Sequence, residues 1–282
     1  MQNLQHIASI GTGVPLAAEP IFNVGSFVVT NAMFFGVILG AAVLAIFIAA
    51  ARRTTLRPKS KFAFWVESLL ELIVGAAAEN FGGDRKKAAK HLPLIITLFT
   101  FILISNLSGL LPGVGTVTVG SGEHVTPLLR PFTTDLNGTL ALAVLTIGLV
   151  QFYALRELGF VGHLRNYFTN KPWNPMNLFI GLIEVMGEFI RIMTLSMRLF
   201  GVIYAGEVLL HVIGDIAGNF GWAATIPVYF MEIFFSVIQA YIFIMLTTAY
   251  LGMATTSHGG DSHDDHSLKP ELKPVAGNDA AK

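Results

Sequence analysis

Long uncharged runs constrain the fold of this chain more than any other feature. Residues 27–51, 92–111 and 136–155 contain no Asp, Glu, Lys or Arg. Each run is long enough to cross about 30 Å of hydrocarbon as a helix. Because hydrocarbon offers no water to unpaired backbone groups, a spanning segment of this kind folds as an α-helix. The runs therefore predict an all-α integral membrane protein.

The composition agrees with a membrane location and excludes other classes of protein. Hydrophobic residues make up 53% of the 282 residues, charged residues only 13%, and the formal net charge is zero. Without a basic surface, we expect no nucleic-acid partner. The chain has no cysteine, which excludes disulfides and thiolate metal sites. We expect no catalytic centre, cofactor or bound metal in this chain.

Charge and periodicity divide the chain into three parts. We expect an external N-terminal segment over residues 1–26, a single membrane domain over 27–256 and a disordered cytoplasmic tail over 257–282. Residues 62–81 place apolar side chains at helical spacing with two glutamates on the other side, which predicts an interfacial amphipathic helix. The remaining apolar segments predict about five transmembrane helices.

Lysines and arginines are concentrated in the connections between residues 52–61, 85–90 and 156–171. Placing these connections in the cytoplasm gives an external N-terminus and a cytoplasmic C-terminus. Arg130 is the only Lys or Arg in the loop over residues 112–134. This topology places that loop outside.

The last two helical patterns, residues 176–213 and 222–253, are too long for an upright crossing. At about 1.5 Å per residue they reach roughly 55 and 48 Å, against a hydrocarbon core of about 30 Å. We therefore expect both helices to tilt steeply, bend or extend beyond the hydrocarbon.

Arg198 lies within the first of these long patterns with no acid one helical turn away. A guanidinium at bilayer depth costs at least about 2.5–3.5 kcal/mol, so we expect a counter-charge from outside this segment. Small and polar residues share its side of the helix, which allows close approach of another backbone. They are Glu184, Gly187, Arg191, Thr194, Gly201 and Ala205. The approaching backbone is either the chain's own last helix or a second subunit.

Further polar residues follow helical spacing. Glu232, Ser236 and Gln239 share one face of the last helix, which indicates a wet seam or a buried polar patch. Glu207 and His211 form an i, i+4 pair of groups that exchange protons. Glu184 and Glu188 form a like-charged pair, and an internal ion pair of Glu188 with Arg191 is the favoured structural alternative.

Four sequence segments resemble the subunit a family of F-type ATP synthases. They are SMRLFGVIYAGEV from Ser196, VIQAYIFIMLTTAYL from Val237, SNLSGLLPG from Ser105 and DLNGTLALA from Asp135. The similarity covers most of residues 90–255. The resemblance implies an ion-translocating stator subunit of the membrane sector, a non-catalytic part of the rotary motor that couples proton flow to ATP synthesis.

The resemblance also implies roles for individual residues. Arg198 matches the essential arginine that faces the carboxylates of a rotating c-ring, and Gln239 matches the glutamine opposite it. Glu207 and Glu232 match polar positions of an outer proton half-channel, to which we add His211 and Ser236. Glu184 matches the acid near the cytoplasmic exit. The implied partners are the c-ring, the peripheral-stalk subunit b and, indirectly, the soluble ATPase sector, in a bacterial inner membrane.

Four positions depart from the family pattern. Val202 replaces a common asparagine, Ile192 stands where proline often follows the basic residue, and Glu207 and Glu232 are both acids where one is frequently histidine. Asp135 precedes a helix, which favours an N-cap and allows a place on the outer path.

Other functions remain as alternatives. A stand-alone transporter or channel also explains intramembrane charges, although no internal repeat supports one. A membrane hydrolase lacks the expected motifs. The tail histidines, His258, His263 and His266, lie among aspartates. They indicate either a metal site or, more simply, a solvated tail.

Overall fold

The computed structural model describes residues 18–24, 27–53, 61–111, 114, 118–119, 126–127, 129–167 and 175–255. These residues include six α-helices of at least 20 residues: α1 Asn31–Arg53, α2 Lys61–Asn80, α3 Arg85–Ser108, α4 Leu136–Tyr167, α5 Pro175–Ala217 and α6 Gly221–Thr255. Two short antiparallel hairpins complete the regular structure: β1 Pro20–Val24 with β2 Phe27–Thr30, and β3 Thr118–Val119 with β4 Thr126–Pro127.

Four helical stretches are long and apolar enough to cross a membrane. They are Asn31–Ala49, Arg85–Ser108, Leu136–Gly159 and Gly181–Thr255. The last stretch contains most of α5 and all of α6, so five helices have spanning character. Helix α2 is not among them, and its interfacial position stays a prediction. The all-α integral membrane architecture is confirmed.

The first uncharged run is not helical throughout, contrary to the simplest interpretation of its sequence. Residues Phe27–Thr30 form a strand, and α1 begins only at Asn31. The Asn31 side-chain oxygen accepts hydrogen bonds from Ala32 N at 2.9 Å and Glu19 N at 3.2 Å. This side chain therefore fastens the hairpin to the helix start. β-branched Val28, Val29 and Thr30 suit a strand as well as an apolar span.

The last two helices are somewhat longer than the sequence predicts. Helix α5 has 43 residues and α6 has 35, which is about 65 and 52 Å at 1.5 Å per residue. The 3-10 turn Gly218–Phe220 joins them, and Gly218 adopts a left-handed φ of 52° there. Pro227 lies inside α6 without ending it.

Helix α4 continues further than its apolar run, to Tyr167, but it is broken on the way. Gly159 has φ 73° and ψ 163°, a conformation that glycine adopts without strain. Just before this break, Glu157 Oε1 lies 2.5 Å from Lys90 Nζ of α3. The ion pair connects α3 to the turn of α4 that precedes the break.

The core lies where α2, α3, α4, α5 and α6 meet. Helix α5 packs against α4 and α6, and α6 also packs against α2, α3 and α4. The largest completely buried apolar side chains include Ile73, Ile102, Leu195, Leu199, Phe243 and Ile244. The site described below lies along the α5–α6 pair, which this core supports.

Helix α2 is held to α6 through Asn80. Its side-chain nitrogen donates to Thr248 Oγ1 at 2.8 Å and to Met245 O at 3.4 Å. A β-carbon at Gly252 would overlap the Asn80 carbonyl oxygen. Glycine therefore allows α6 to approach the end of α2 closely.

The predicted domain boundaries stay predictions. Residues 1–17 and 256–282, which contain most of the predicted external segment and all of the tail, lie outside the described residues.

Candidate functional site

Arg198 lies on the side of α5 opposite the core. Leu195, Ser196 and Leu199 are each at most 1% exposed, whereas Arg198 itself is exposed. Ser196 Oγ lies 3.3 Å from Thr139 Oγ1 of α4. The backbone around Arg198 is therefore fastened to the core while its side chain points away from it.

No acid of the described residues meets Arg198. The ion pairs found within those ranges join other residues, and Arg198 makes no hydrogen bond there. The sequence predicted a cation without a local partner, and the described part of the chain supplies none from a distance either.

The small residues beside Arg198 form an open face, which we define as Gly187, Thr194, Arg198, Gly201 and Ala205. A β-carbon added at Gly187 or Gly201 would meet nothing within 4 Å. Thr194 and Ala205 are exposed. Of the two predicted neighbours for this face, the chain's own last helix is therefore not the one that covers it.

Arg191 does not belong to the open face, although it shares its helical spacing. Its Nη1 lies 2.5 Å from Glu188 Oε1, and its guanidinium lies 5.1 Å from the centre of the Tyr250 ring on α6. The ion pair predicted for Glu188 and Arg191 is confirmed. The cation–π contact, which sequence spacing did not indicate, attaches this part of α5 to α6.

Glu207 and Glu232 lie together between α5 and α6. A β-carbon at Gly206 would overlap the carboxylate of Glu232, so that side chain rests directly on the α5 backbone beside Glu207. The two acids are close enough to repel each other electrostatically. Glu207 Oε2 is buried and accepts no hydrogen bond from the described residues.

His211 differs in its contact from the sequence prediction. Its Nδ1 lies 2.8 Å from the main-chain oxygen of Glu207, not from the carboxylate. Because a carbonyl oxygen only accepts, Nδ1 carries the hydrogen of this bond. The other ring nitrogen remains for solvent, since His211 is exposed.

Ser236 and Gln239 lie on the same face of α6 as Glu232 and are 1% and 3% exposed. Gln239 Nε2 has no hydrogen-bond partner within the described ranges. Two of the three polar residues that the spacing aligned are therefore buried, while Glu232 is half-buried.

Acidic residues lie on both sides of Arg198 along α5. Glu184 precedes it by about 21 Å and Glu207 follows it by about 14 Å, at 1.5 Å per residue. Asp135 lies at the start of α4, where its carboxylate accepts from Asn137 N at 3.3 Å and its carbonyl from Thr139 N at 3.0 Å. Its position is that of an N-cap.

Arg130 also lies in this region. From the sequence it was recognised only as the one Lys or Arg of the predicted external loop. It is 3% exposed, bonds to Thr134 and is close enough to Glu207 to attract it electrostatically. Residue spacing could not reveal this because Arg130 lies in irregular structure far along the chain from Glu207. Within the described residues, no group of three acids or histidines is placed to hold a metal.

Taken together, the fold and this site define a multi-pass membrane protein whose ionisable groups follow two packed helices. The profile of the ATP synthase A chain family matches residues 33–252. An ATP synthase subunit a from Marinomonas sp. (strain MWYL1) is 31% identical over 240 residues, which cover 81% of this chain and 83% of that protein. The chain belongs to the ATP synthase A chain family. Its function is that of a proton-translocating stator subunit in ATP synthesis, as the sequence motifs predicted.

Proposed function

We propose that this chain guides protons through two offset half-channels that are kept apart by Arg198 and open onto a ring of c subunits. The observation that carries the proposal is the exposed guanidinium on the open face, which has no partner among the described residues. Small residues around it leave room for another helix to approach closely. A ring helix that presents a carboxylate at this depth supplies the missing counter-charge.

The physical role of Arg198 follows from the cost of charge in hydrocarbon. A protonated ring carboxylate is neutral and passes through lipid, whereas an ionised one is too costly to leave a polar surface. Near the guanidinium, the ionised form is favoured. A carboxylate therefore gives up its proton on one side of Arg198 and must receive another before it leaves on the other side.

The entry path contains Glu232 and Glu207, with His211, Ser236 and Gln239 beside them. Two half-buried acids, and an amide donor without a partner among the described residues, lie along α5 and α6 and support a polar route through an otherwise apolar pair of helices. Glu207 Oε2 accepts no hydrogen bond from the described residues, so water is a suitable partner for it.

The exit path leaves on the other side of Arg198, at Glu184. The positions of the two sets of acids on opposite sides of the arginine support an offset between the half-channels.

With an external N-terminus and a cytoplasmic C-terminus, protons enter from outside and leave into the cytoplasm. The complex lies in a bacterial inner membrane with subunit b and the soluble ATPase sector. Asp135 stays a candidate for the outer mouth in addition to its capping position.

The decisive experiment is Arg198→Ala in the assembled complex. We expect loss of proton-driven ATP synthesis, because entering and leaving protons are no longer separated. A membrane potential of 100 mV drives such a leak with about 2.3 kcal/mol per charge. The measurement is ATP synthesis in membrane vesicles, normalised to the amount of assembled complex.

A matched control is Arg52→Ala. Arg52 is an exposed arginine near the end of α1, and α1 packs on α3 rather than along the α5–α6 pair. This variant should keep normal synthesis. Normal synthesis in assembled Arg198→Ala complexes would contradict the proposed function.

A further inference from the structure

Two arginines lie on the same side of α5. Arg191 precedes Arg198 by seven residues, which is about two helical turns and about 10.5 Å along the axis. In the proposed function, a ring carboxylate that passes this side of the helix comes near both cations. Arginine stays protonated in proteins, so neither of the two can become neutral by losing a proton.

The two arginines differ in their partners. Arg191 Nη1 lies 2.5 Å from Glu188 Oε1, and the guanidinium of Arg191 lies 5.1 Å from the centre of the Tyr250 ring on α6. The side chain of Arg191 is 31% exposed and that of Glu188 is 18% exposed. Arg198, by contrast, is exposed and has no partner among the described residues.

The charge of Glu188 explains why this difference matters. An arginine and a carboxylate in contact carry no net charge as a pair, whereas an arginine without a partner attracts any carboxylate that passes. Glu184 is the other acid of α5 that precedes Arg198, and it lies seven residues before Arg191. That separation exceeds the three or four residues at which helical side chains pair, so Glu184 is not placed to replace Glu188.

We propose that Glu188 determines which arginine of α5 a ring carboxylate meets: it neutralises Arg191 and so leaves Arg198 as the arginine that attracts the ring. The Tyr250 ring contributes by holding the Arg191 guanidinium beside α6. The inference rests on the proposed function, in which ring carboxylates pass Arg198. Because Glu188 acts through Arg191, it is a positioning residue.

Glu188→Gln tests this role because it leaves Arg191 without its counter-charge. The measurement is passive proton flux through the membrane sector in vesicles stripped of the soluble ATPase, normalised to the amount of assembled complex. We expect the flux to fall about tenfold, because a second cation now retains the ring carboxylate. Glu188→Asp keeps the carboxylate and should retain the flux to within about threefold of the original.

The arginine of the pair should give a different result. In Arg191→Gln, the remaining Glu188 carboxylate becomes neutral by binding one proton, so the flux should stay within about threefold of the original. The double variant, Glu188→Gln with Arg191→Gln, should recover to the same level because no second cation remains. A purely structural ion pair predicts similar losses in the two single variants and no recovery in the double variant.

A further pair of variants adds the charge without altering Glu188 or Arg191. Thr194 is exposed on the open face, and no acid stands three or four residues away from it. Thr194→Arg places a cation without a helical partner there, and Thr194→Gln is the neutral control of similar length. We expect about tenfold lower flux in Thr194→Arg than in Thr194→Gln. This comparison decides the question if Glu188→Gln fails to assemble.

The outcomes separate the role of Glu188 from the function on which it rests. Normal synthesis in assembled Arg198→Ala complexes would contradict the function itself. If Arg198→Ala abolishes synthesis, unchanged flux in Glu188→Gln would overturn the role of Glu188, as would equal losses in Glu188→Gln and Arg191→Gln. The role is also overturned if the double variant does not recover or if Thr194→Arg and Thr194→Gln have equal flux.

Discussion

At the scale of single residues, Arg198 and Glu207 show two ways of keeping a charge in an apolar helix. Arg198 extends from the open face with no partner in the described residues, whereas the carboxylate of Glu232 rests on the α5 backbone next to Glu207. An exposed cation suits a partner that moves past it. An acid with a buried oxygen suits a route that water or protons enter one at a time.

Gly206 decides how closely the two acids approach. The Gly206→Ala substitution places a methyl group where the Glu232 carboxylate lies, so that carboxylate must move. Since displacement of a reacting group by about 1 Å costs up to roughly a hundredfold, we expect proton flux to fall about tenfold or more. Passive flux through the stripped membrane sector measures this effect.

A suitable control for this change is Gly40→Ala in α1, where an added β-carbon meets open space. Its flux should equal that of the original protein. Equal flux in Gly206→Ala would show that the position of Glu232 does not govern proton entry.

The isolation of Arg198 could be predicted from sequence because helical neighbours are fixed by spacing alone. The electrostatic attraction between Arg130 and Glu207 could not, since it joins an irregular segment to a distant helix. The acceptor of His211 was also hidden. Spacing places its ring beside Glu207 but does not choose between the carboxylate and the main-chain oxygen.

At the scale of helices, the length of the uncharged segments was sufficient to predict the helices. The segments between helices, and the contacts that attach one helix to another, could not be predicted in this way. The uncharged runs predicted α1, α3 and α4, and the long patterns predicted α5 and α6. The strand Phe27–Thr30 was missed because an apolar β-branched run satisfies both a strand and a span. The attachment of α2 to α6 depends on the Asn80 side chain, for which the sequence contains no periodic signal.

Asn80→Ala tests that attachment. The substitution removes the donor to Thr248 and Met245, and loss of a partner for partly buried polar groups costs about 1–3 kcal/mol. We expect earlier thermal unfolding of the purified complex and faster proteolysis at the Gly82–Gly83 turn that follows α2.

Asn137→Ala provides the comparison, because Asn137 is exposed at the start of α4 and its main-chain nitrogen, not its side chain, bonds to Asp135. Its stability should match that of the original protein. If both substitutions leave unfolding and proteolysis unchanged, Asn80 does not hold α2 in place.

At the scale of the whole molecule, the described residues combine a closed core with a face of α5 that they leave uncovered. The core is closed by α2, α3, α4, α5 and α6, yet the open face of α5 has space at Gly187 and Gly201. Large apolar side chains are also exposed on α6, including Phe230, Phe234 and Val237. Lipid suits the apolar side chains, but only a partner with an acid suits the face that contains Arg198.

The Gly201→Trp substitution tests whether a ring covers that face. The indole should block close approach without disturbing the core, because the position is open in this chain. We expect affinity-purified protein to lose the c-ring, as measured by the amount of ring on a gel. Val37→Trp, at a position of α1 that is 73% exposed, should retain it. Equal ring content and normal synthesis in both variants would mean that the ring lies elsewhere.

The buried Leu195, Ser196 and Leu199 behind Arg198 have a mechanical consequence. In the proposed mechanism, each attraction between a passing ring carboxylate and the guanidinium pulls sideways on α5. Tightly packed interiors yield little under load, and the Thr139–Ser196 contact ties this turn to α4. This packing therefore distributes the sideways force over the helix bundle, so that α5 does not bend. In the proposed mechanism, this chain then stays fixed while the ring rotates.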